Sequence, residues 1–178
     1  MKQYQENAIT HEQLAKMACE EYAKAIQDIE EEYIISVVKE FNKVDKANMY
    51  SFVPKLFDLL WQNRIKPIII SGAPIDIISE YFNEYKITES YGFECVVFNK
   101  RYTGMVKNNY GFNKLEIVKK IEKDIGKKPF FAIGDSESDF PMLDSAYYGF
   151  LMNQEITNNN YILVNEQNVL EQIKKILI

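Results

Sequence analysis

The sequence predicts an α/β fold: a Rossmann-like, mostly parallel sheet carried by residues 51–178, with a small helical cap in residues 1–50. Three observations carry that prediction. Lys66-Pro-Ile-Ile-Ile-Ser-Gly-Ala-Pro74 and Phe130-Phe-Ala-Ile-Gly-Asp135 are short apolar runs that end in small or acidic residues, the pattern of buried strands in a parallel sheet. Stretches of helical period follow both runs, and alternation of strand and helix is the signature of this class. The first 50 residues differ, holding amphipathic helical stripes and no comparable strand.

Each element follows from local signals. Thr10-His-Glu-Gln13 fits a capping box, and Leu14, Met17, Ala18 and Tyr22 follow at helical spacing. Ile34, Val37, Val38 and Phe41 form a second stripe, separated from the first by the acidic run Asp28 to Glu32, a solvated face or turn. Phe52, Leu56, Leu59 and Leu60 mark a helix within residues 50–61 that leads into a strand at Pro67 to Ile70. Residues 75–85 are helix-compatible, as are Leu115, Val118 and Ile121 further on. Two short strands at 147–151 and 161–164 and a final helix at 169–177 complete the order, with Asn158 to Asn160 read as a loop. His11, the only histidine, falls in a first helical turn and is read as a surface residue rather than a catalyst. Tyr4, Tyr22 and Tyr50 lie in or near helical stripes and are read as core before they are read as substrate contacts.

Global numbers narrow the function classes. A chain of 178 residues that is 47% hydrophobic sits in the one-domain range and can bury about 70% of its unfolded surface. A net charge of −5 without a dense Lys/Arg cluster excludes a nucleic-acid surface and points to a small partner. Cys19 and Cys95 are too few and too far apart for a disulfide framework or a zinc site. No apolar run approaches the ~20 residues of a membrane span, and the N-terminus lacks a signal-peptide core, so the expectation is a cytoplasmic protein with no membrane partner.

The chemistry gathers at the strand ends. The run closing at Gly134 delivers Asp135, and Asp139 follows four residues on beside a helix start marked by Pro141. In open α/β sheets ligands collect at the strands' carboxyl ends, so the two carboxylates are expected to converge on a hard cation such as Mg²⁺. Ser71 and Gly72 close the other run and offer a hydroxyl and backbone N–H groups to an anion. Lys114, near the start of a helical stripe, offers an ammonium to a phosphate oxygen. Glu137 and Ser138 are read as shaping the turn between the aspartates.

These residues resemble the haloacid dehalogenase-like phosphatases, in the branch that includes phosphoserine phosphatase. Ile70-Ser71-Gly72 stands for the second motif, Lys114 for the third, and Gly134-Asp-Ser-Glu-Ser-Asp-Phe-Pro-Met-Leu143 for the fourth; Tyr102-Thr-Gly104 resembles the small hairpin such proteins carry. The separations, 43 residues from Ser71 to Lys114 and 21 from Lys114 to Asp135, are compatible with that branch. The resemblance implies Mg²⁺-dependent hydrolysis of a small-molecule phosphomonoester. Ser71, Lys114 and Asp139 would serve catalysis, Ser71, Gly72 and Lys114 the phosphate, and Asp135 and Asp139 the metal, with residues 1–50 closing over the substrate.

The family's first motif, Asp-x-Asp, whose first aspartate is the nucleophile, is absent upstream of Ser71. Asp28, Asp45 and Asp58 lie in polar or helical context. The resemblance would place that motif's strand between the strands ending at Ser71 and Gly134. The sequence therefore predicts that those two strands pair directly or flank another strand, because buried backbone does not go unpaired. Two readings stand open. One is a phosphatase whose nucleophile lies in a missing N-terminal segment or a complementing chain; the other is an inactive domain that binds a phosphate ligand or a protein partner. The intact second, third and fourth motifs favour the first.

Overall fold

The computed structural model describes residues 11–109, 113–154 and 160–177. In chain order the elements are α1 (His11–Ala25), α2 (Glu31–Asp45), α3 (Val53–Gln62), β1 (Ile68–Pro74), α4 (Ile75–Ser79), α5 (Phe82–Tyr85), β2 (Glu89–Phe98), β3 (Arg101–Asn109), α6 (Lys114–Ile125), β4 (Phe131–Gly134), α7 (Phe140–Ser145), β5 (Tyr148–Met152), β6 (Ile162–Val164) and α8 (Val169–Ile176). They fall into two compact units, residues 1–47 with 68–112 and residues 48–67 with 113–178. Tyr4, Thr10 and Asn158, and the side chain of His11, lie outside what is described.

In the first unit the strands run β1-β2-β3, with β1 parallel to β2 and β2 antiparallel to β3. Asn99 and Lys100 join β2 to β3 with φ of 49° and 62°, the positive pair that a two-residue hairpin with the right twist demands. The hairpin suggested by Tyr102 to Gly104 is therefore present, in longer strands than three residues implied. Ile26, Ile34, Val38 and Tyr102 form one buried cluster of this unit; Cys19, Ala23 and Phe93 form another. Neither Cys19 nor Cys95 is in a disulfide.

The helices bury part of each predicted stripe and leave the rest in water. On α1 the buried residues are Cys19 and Ala23, while Met17 is 48% exposed. On α2 the row Ile34, Val38, Asn42 is buried, and Val37 and Phe41 are 46% and 49% exposed. An apolar arc wider than the contact leaves its margin in water, and hydropathy alone does not say which margin. Tyr22 is half-buried against Phe93, with the rings edge to face. Tyr50 is exposed and stacks on Phe52. The expected helix over 75–85 is two short ones, because Ser79 Oγ donates back to the Asp76 carbonyl and Lys86, at φ 51°, stops the second.

In the second unit β4, β5 and β6 form a three-stranded parallel sheet in that order. Phe52, Phe150, Met152, Val164, Val169 and Ile173 make its core, so α3 and α8 cover the sheet together. Ser51 donates its N–H and hydroxyl to Glu166 Oε1, at 3.0 and 2.8 Å, which fixes the start of α3 beside the approach to α8.

One expectation is corrected. The strands ending near Ser71 and Gly134 were predicted in the middle of a single mostly parallel sheet, paired with each other or flanking a third. Among the described residues β1 pairs only with β2 and β4 only with β5, so each is the outermost strand of its own three-stranded sheet. An apolar run specifies a strand with a covered face but not the strand's neighbour, and here β1 has no fully buried residue and β4 only Gly134.

Candidate active site

The residues of the second unit assemble at the carboxyl end of β4. Four residues, Phe131 to Gly134, pair in parallel with Tyr148 to Leu151, and the chain then turns sharply. Ser136, extended at φ −141°, caps a single 3₁₀ turn over Glu137 to Asp139 through a reciprocal capping box with Asp139. Pro141 lies in the first turn of α7, where its missing N–H costs nothing. This turn is why a carboxylate four residues beyond the strand folds back onto it.

Asp139 is the centre of the arrangement. It is 5% exposed, and both of its oxygens are engaged. Oδ1 accepts from Lys114 Nζ at 2.5 Å, and Oδ2 accepts from the N–H groups of Asp135 and Ser136, at 3.1 and 3.2 Å, and from Ser136 Oγ at 3.1 Å. Lys114, the first residue of α6, has a side chain only 11% exposed. Burial by itself would raise the Asp139 carboxyl, but the hydrogen bond and charge of Lys114, with the donors at 135 and 136, outweigh it and hold the pKa below the usual aspartate value.

Gly134 makes this possible. A Cβ there would lie 2.3 Å from Asp139 Cβ and 2.6 Å from its Cγ, so only a residue without a side chain lets the carboxylate lie against the strand end.

Asp135 is different in kind. It is exposed, and its carboxylate has no hydrogen-bond partner among the described residues; its backbone carbonyl accepts from Gln154 Nε2 at 2.7 Å. The structure thus brings Lys114, Asp135 and Asp139 together: both oxygens of Asp139 accept from protein donors, and the Asp135 carboxylate accepts from none among the described residues. No group of three His, Cys, Asp or Glu side chains positioned for a metal occurs among the described residues. One free carboxylate still fits Mg²⁺, which keeps several waters and takes one or two carboxylates with substrate phosphate oxygens.

Ser71 and Gly72 belong to the first unit, in the irregular part of β1, where Ser71 Oγ accepts the Ala73 N–H at 3.1 Å. Sequence reasoning passed over Ser136 and Gln154. The spacing of Ser136 and Asp139 is itself a capping-box signal; nothing local marks Gln154.

The second unit thus presents a lysine–carboxylate pair and an exposed aspartate at the carboxyl end of a strand. The sequence profile of the haloacid dehalogenase-like hydrolases matches residues 2–159, and the chain belongs to that family. No curated protein sequence matches it significantly. Among solved structures, a probable phosphoserine phosphatase from Vibrio cholerae aligns with 15% identity and a TM-score of 0.73, over 99% of this chain and 53% of that one. A substrate-bound phosphoserine phosphatase complex aligns with 18% identity and a TM-score of 0.61, over 88% of this chain and 74% of the other. A protein of unknown function from Bordetella pertussis Tohama I reaches a TM-score of 0.76 at 13% identity, over 93% and 79% of the two chains. At these identities the likeness is one of fold. No described helix is long and apolar enough to cross a membrane.

Proposed function

We propose that this chain carries the phosphate- and metal-handling part of a Mg²⁺-dependent phosphomonoester hydrolase acting on a small molecule, and that its 178 residues do not include the nucleophile. The observation that carries the reading is the contrast between a buried Asp139–Lys114 ion pair and an exposed Asp135 at one strand end. A pair of that kind holds an ammonium in place at the cost of desolvating two charges, and folds retain such pairs where the position of the charge matters.

In the second unit Lys114 offsets negative charge on phosphoryl oxygens. Asp139 positions the lysine and the 135–136 backbone and supports the metal or its water, and Asp135 is the direct metal ligand. In the first unit the Ser71 hydroxyl and the Gly72 N–H take phosphate oxygens, and the helices of residues 1–50 act as the cap. When bound, Mg²⁺ supplies charge neutralisation for the phosphoryl group. The sequence contains no Asp-x-Asp, so no carboxylate of that motif is present to form a phospho-enzyme, and Ser71 has no described histidine or other base to activate it.

The test is turnover of an aryl phosphate with Mg²⁺. Residues 1–178 alone are expected to show little or none. A strand ending in Asp-x-Asp, fused ahead of Met1 or supplied as a separate peptide, is expected to raise turnover by orders of magnitude, and Asp135→Asn to abolish that gain. Robust Asp135-dependent turnover by the unmodified chain would overturn the missing-nucleophile reading.

A further inference from the structure

The pairing of β1 with β2 carries an irregularity exactly where the sequence places its phosphate residues. Ile70 faces Tyr91 and the next partners are Pro74 and Phe93, so four steps along β1 are matched by two along β2. Ser71, Gly72 and Ala73 are looped out of the ladder, as in a β-bulge, a device that re-aims groups beside functional sites. The residue across from the loop is Gly92, which is buried.

Gly92 is not needed for backbone conformation, because the glycines with positive φ are Gly104 and Gly126. It is needed for room. A Cβ on Gly92 would lie 2.9 Å from the Ala73 carbonyl oxygen, 3.1 Å from Ile75 Cα and 2.8 Å from Ile78 Cδ1. Two of these three are backbone atoms of the segment that carries Ser71 into α4. Ser71 Oγ accepts the Ala73 N–H, so a movement of Ala73 that relieves the crowding at its carbonyl is passed through that residue to the hydroxyl.

We infer that Gly92 is a positioning residue for phosphate: the absent side chain lets the Ser71–Ala73 loop lie close against β2 and sets where its hydroxyl and N–H groups point. This rests on the proposed phosphate role of Ser71 and Gly72. Ile78 allows the backbone crowding to be separated from the side-chain crowding, since Ile78→Val removes Cδ1 and leaves the Ala73 and Ile75 contacts in place.

The experiment is an NMR titration of the full chain with inorganic phosphate, with thermal melts alongside, for the unmodified protein, Gly92→Ala, Ile78→Val and the double variant. Gly92→Ala is expected to lower the melting temperature, to move the Ser71, Gly72 and Ala73 amide resonances and to weaken phosphate binding about tenfold or more, as small misplacements of binding groups do. Adding Ile78→Val is expected to recover much of the stability while leaving the amide shifts and the weak binding. Full recovery of binding in the double variant, or unchanged amides at 71–73, would overturn the inference. If the unmodified chain does not bind phosphate, the proposed function fails, and the amide shifts in the folded double variant still decide whether Gly92 sets the loop.

Discussion

Replacing Gly134 with alanine tests the active-site geometry more sharply than replacing any charged residue, because it adds one methyl group and removes nothing. That methyl carbon would sit 2.3 Å from Asp139 Cβ, 2.6 Å from Cγ and 2.9 Å from Oδ2. Carbon atoms in contact keep about 3.5–4.0 Å, so Asp139 must retreat by about an ångström. It has nowhere to go without loss, since Oδ1 holds Lys114 and Oδ2 holds three donors at 135 and 136. Overpacking costs about 1–3 kcal/mol, and a hydrogen bond to a charged group is worth about 1.5–3 kcal/mol, so losing one such bond brings the total to about 2.5–6 kcal/mol. The assay is urea unfolding followed by fluorescence of Trp61, the single tryptophan, on α3 of the same unit. Gly126→Ala is the control, with no atom within 4 Å of the new carbon and only the strain of φ 70°, a cost of about 1 kcal/mol. A Gly134→Ala protein within about 0.5 kcal/mol of the unmodified one would refute the argument that the carboxylate is clamped against the strand.

Three further outcomes are expected. Lys114→Met leaves a buried carboxylate without its cation and should destabilise the second unit by about 3–5 kcal/mol; adding Asp139→Asn should recover part of that, read from the same urea curves. Asp135→Asn should leave stability in metal-free buffer within about 0.5 kcal/mol, yet remove the rise in melting temperature that Mg²⁺ is expected to give the unmodified chain by mass action. Because the folded pKa of Asp139 is depressed, its contribution to stability is present above the ordinary aspartate value, 3.8, and is lost as pH falls through the lower folded value; acid unfolding of Asp139→Asn should show a shallower pH dependence in that range.

The parts of the fold that were legible in the sequence are those set by short-range signals. β4, β5, β6 and α8 lie within a residue or two of where apolar runs and helical period put them, and the Lys114, Asp135, Asp139 grouping follows from a strand end and a turn. What was not legible depends on partners distant in the chain. The division into two sheets was hidden because an isoleucine-rich run reads the same beside one neighbour as beside two. Val37 and Phe41 fit the apolar stripe of α2 as well as Ile34 and Val38 do, and it is residues distant in the chain, Ile77, Cys95 and Tyr102 among them, that cover Ile34 and Val38. The engagement of Asp139 was likewise invisible: sequence spacing showed two carboxylates that could converge on one cation, and only the fold shows both Asp139 oxygens accepting from protein donors.

The interleaving of the two units has a consequence for how the chain emerges from the ribosome. The first unit's last residue is 112, whereas Phe52 at the head of α3 packs with Phe150, Val169 and Ile173. At about 5–20 residues per second, the apolar face of α3 waits roughly ten seconds or so for Ile173 to be made. Over that interval Phe52, Leu56 and Leu59 are a sticky, unburied surface tethered to a neighbour whose own residues are all in hand. Nascent-chain misfolding and chaperone capture should therefore concentrate on residues 48–67, and a slow-codon pause would do most harm between residues 113 and 173.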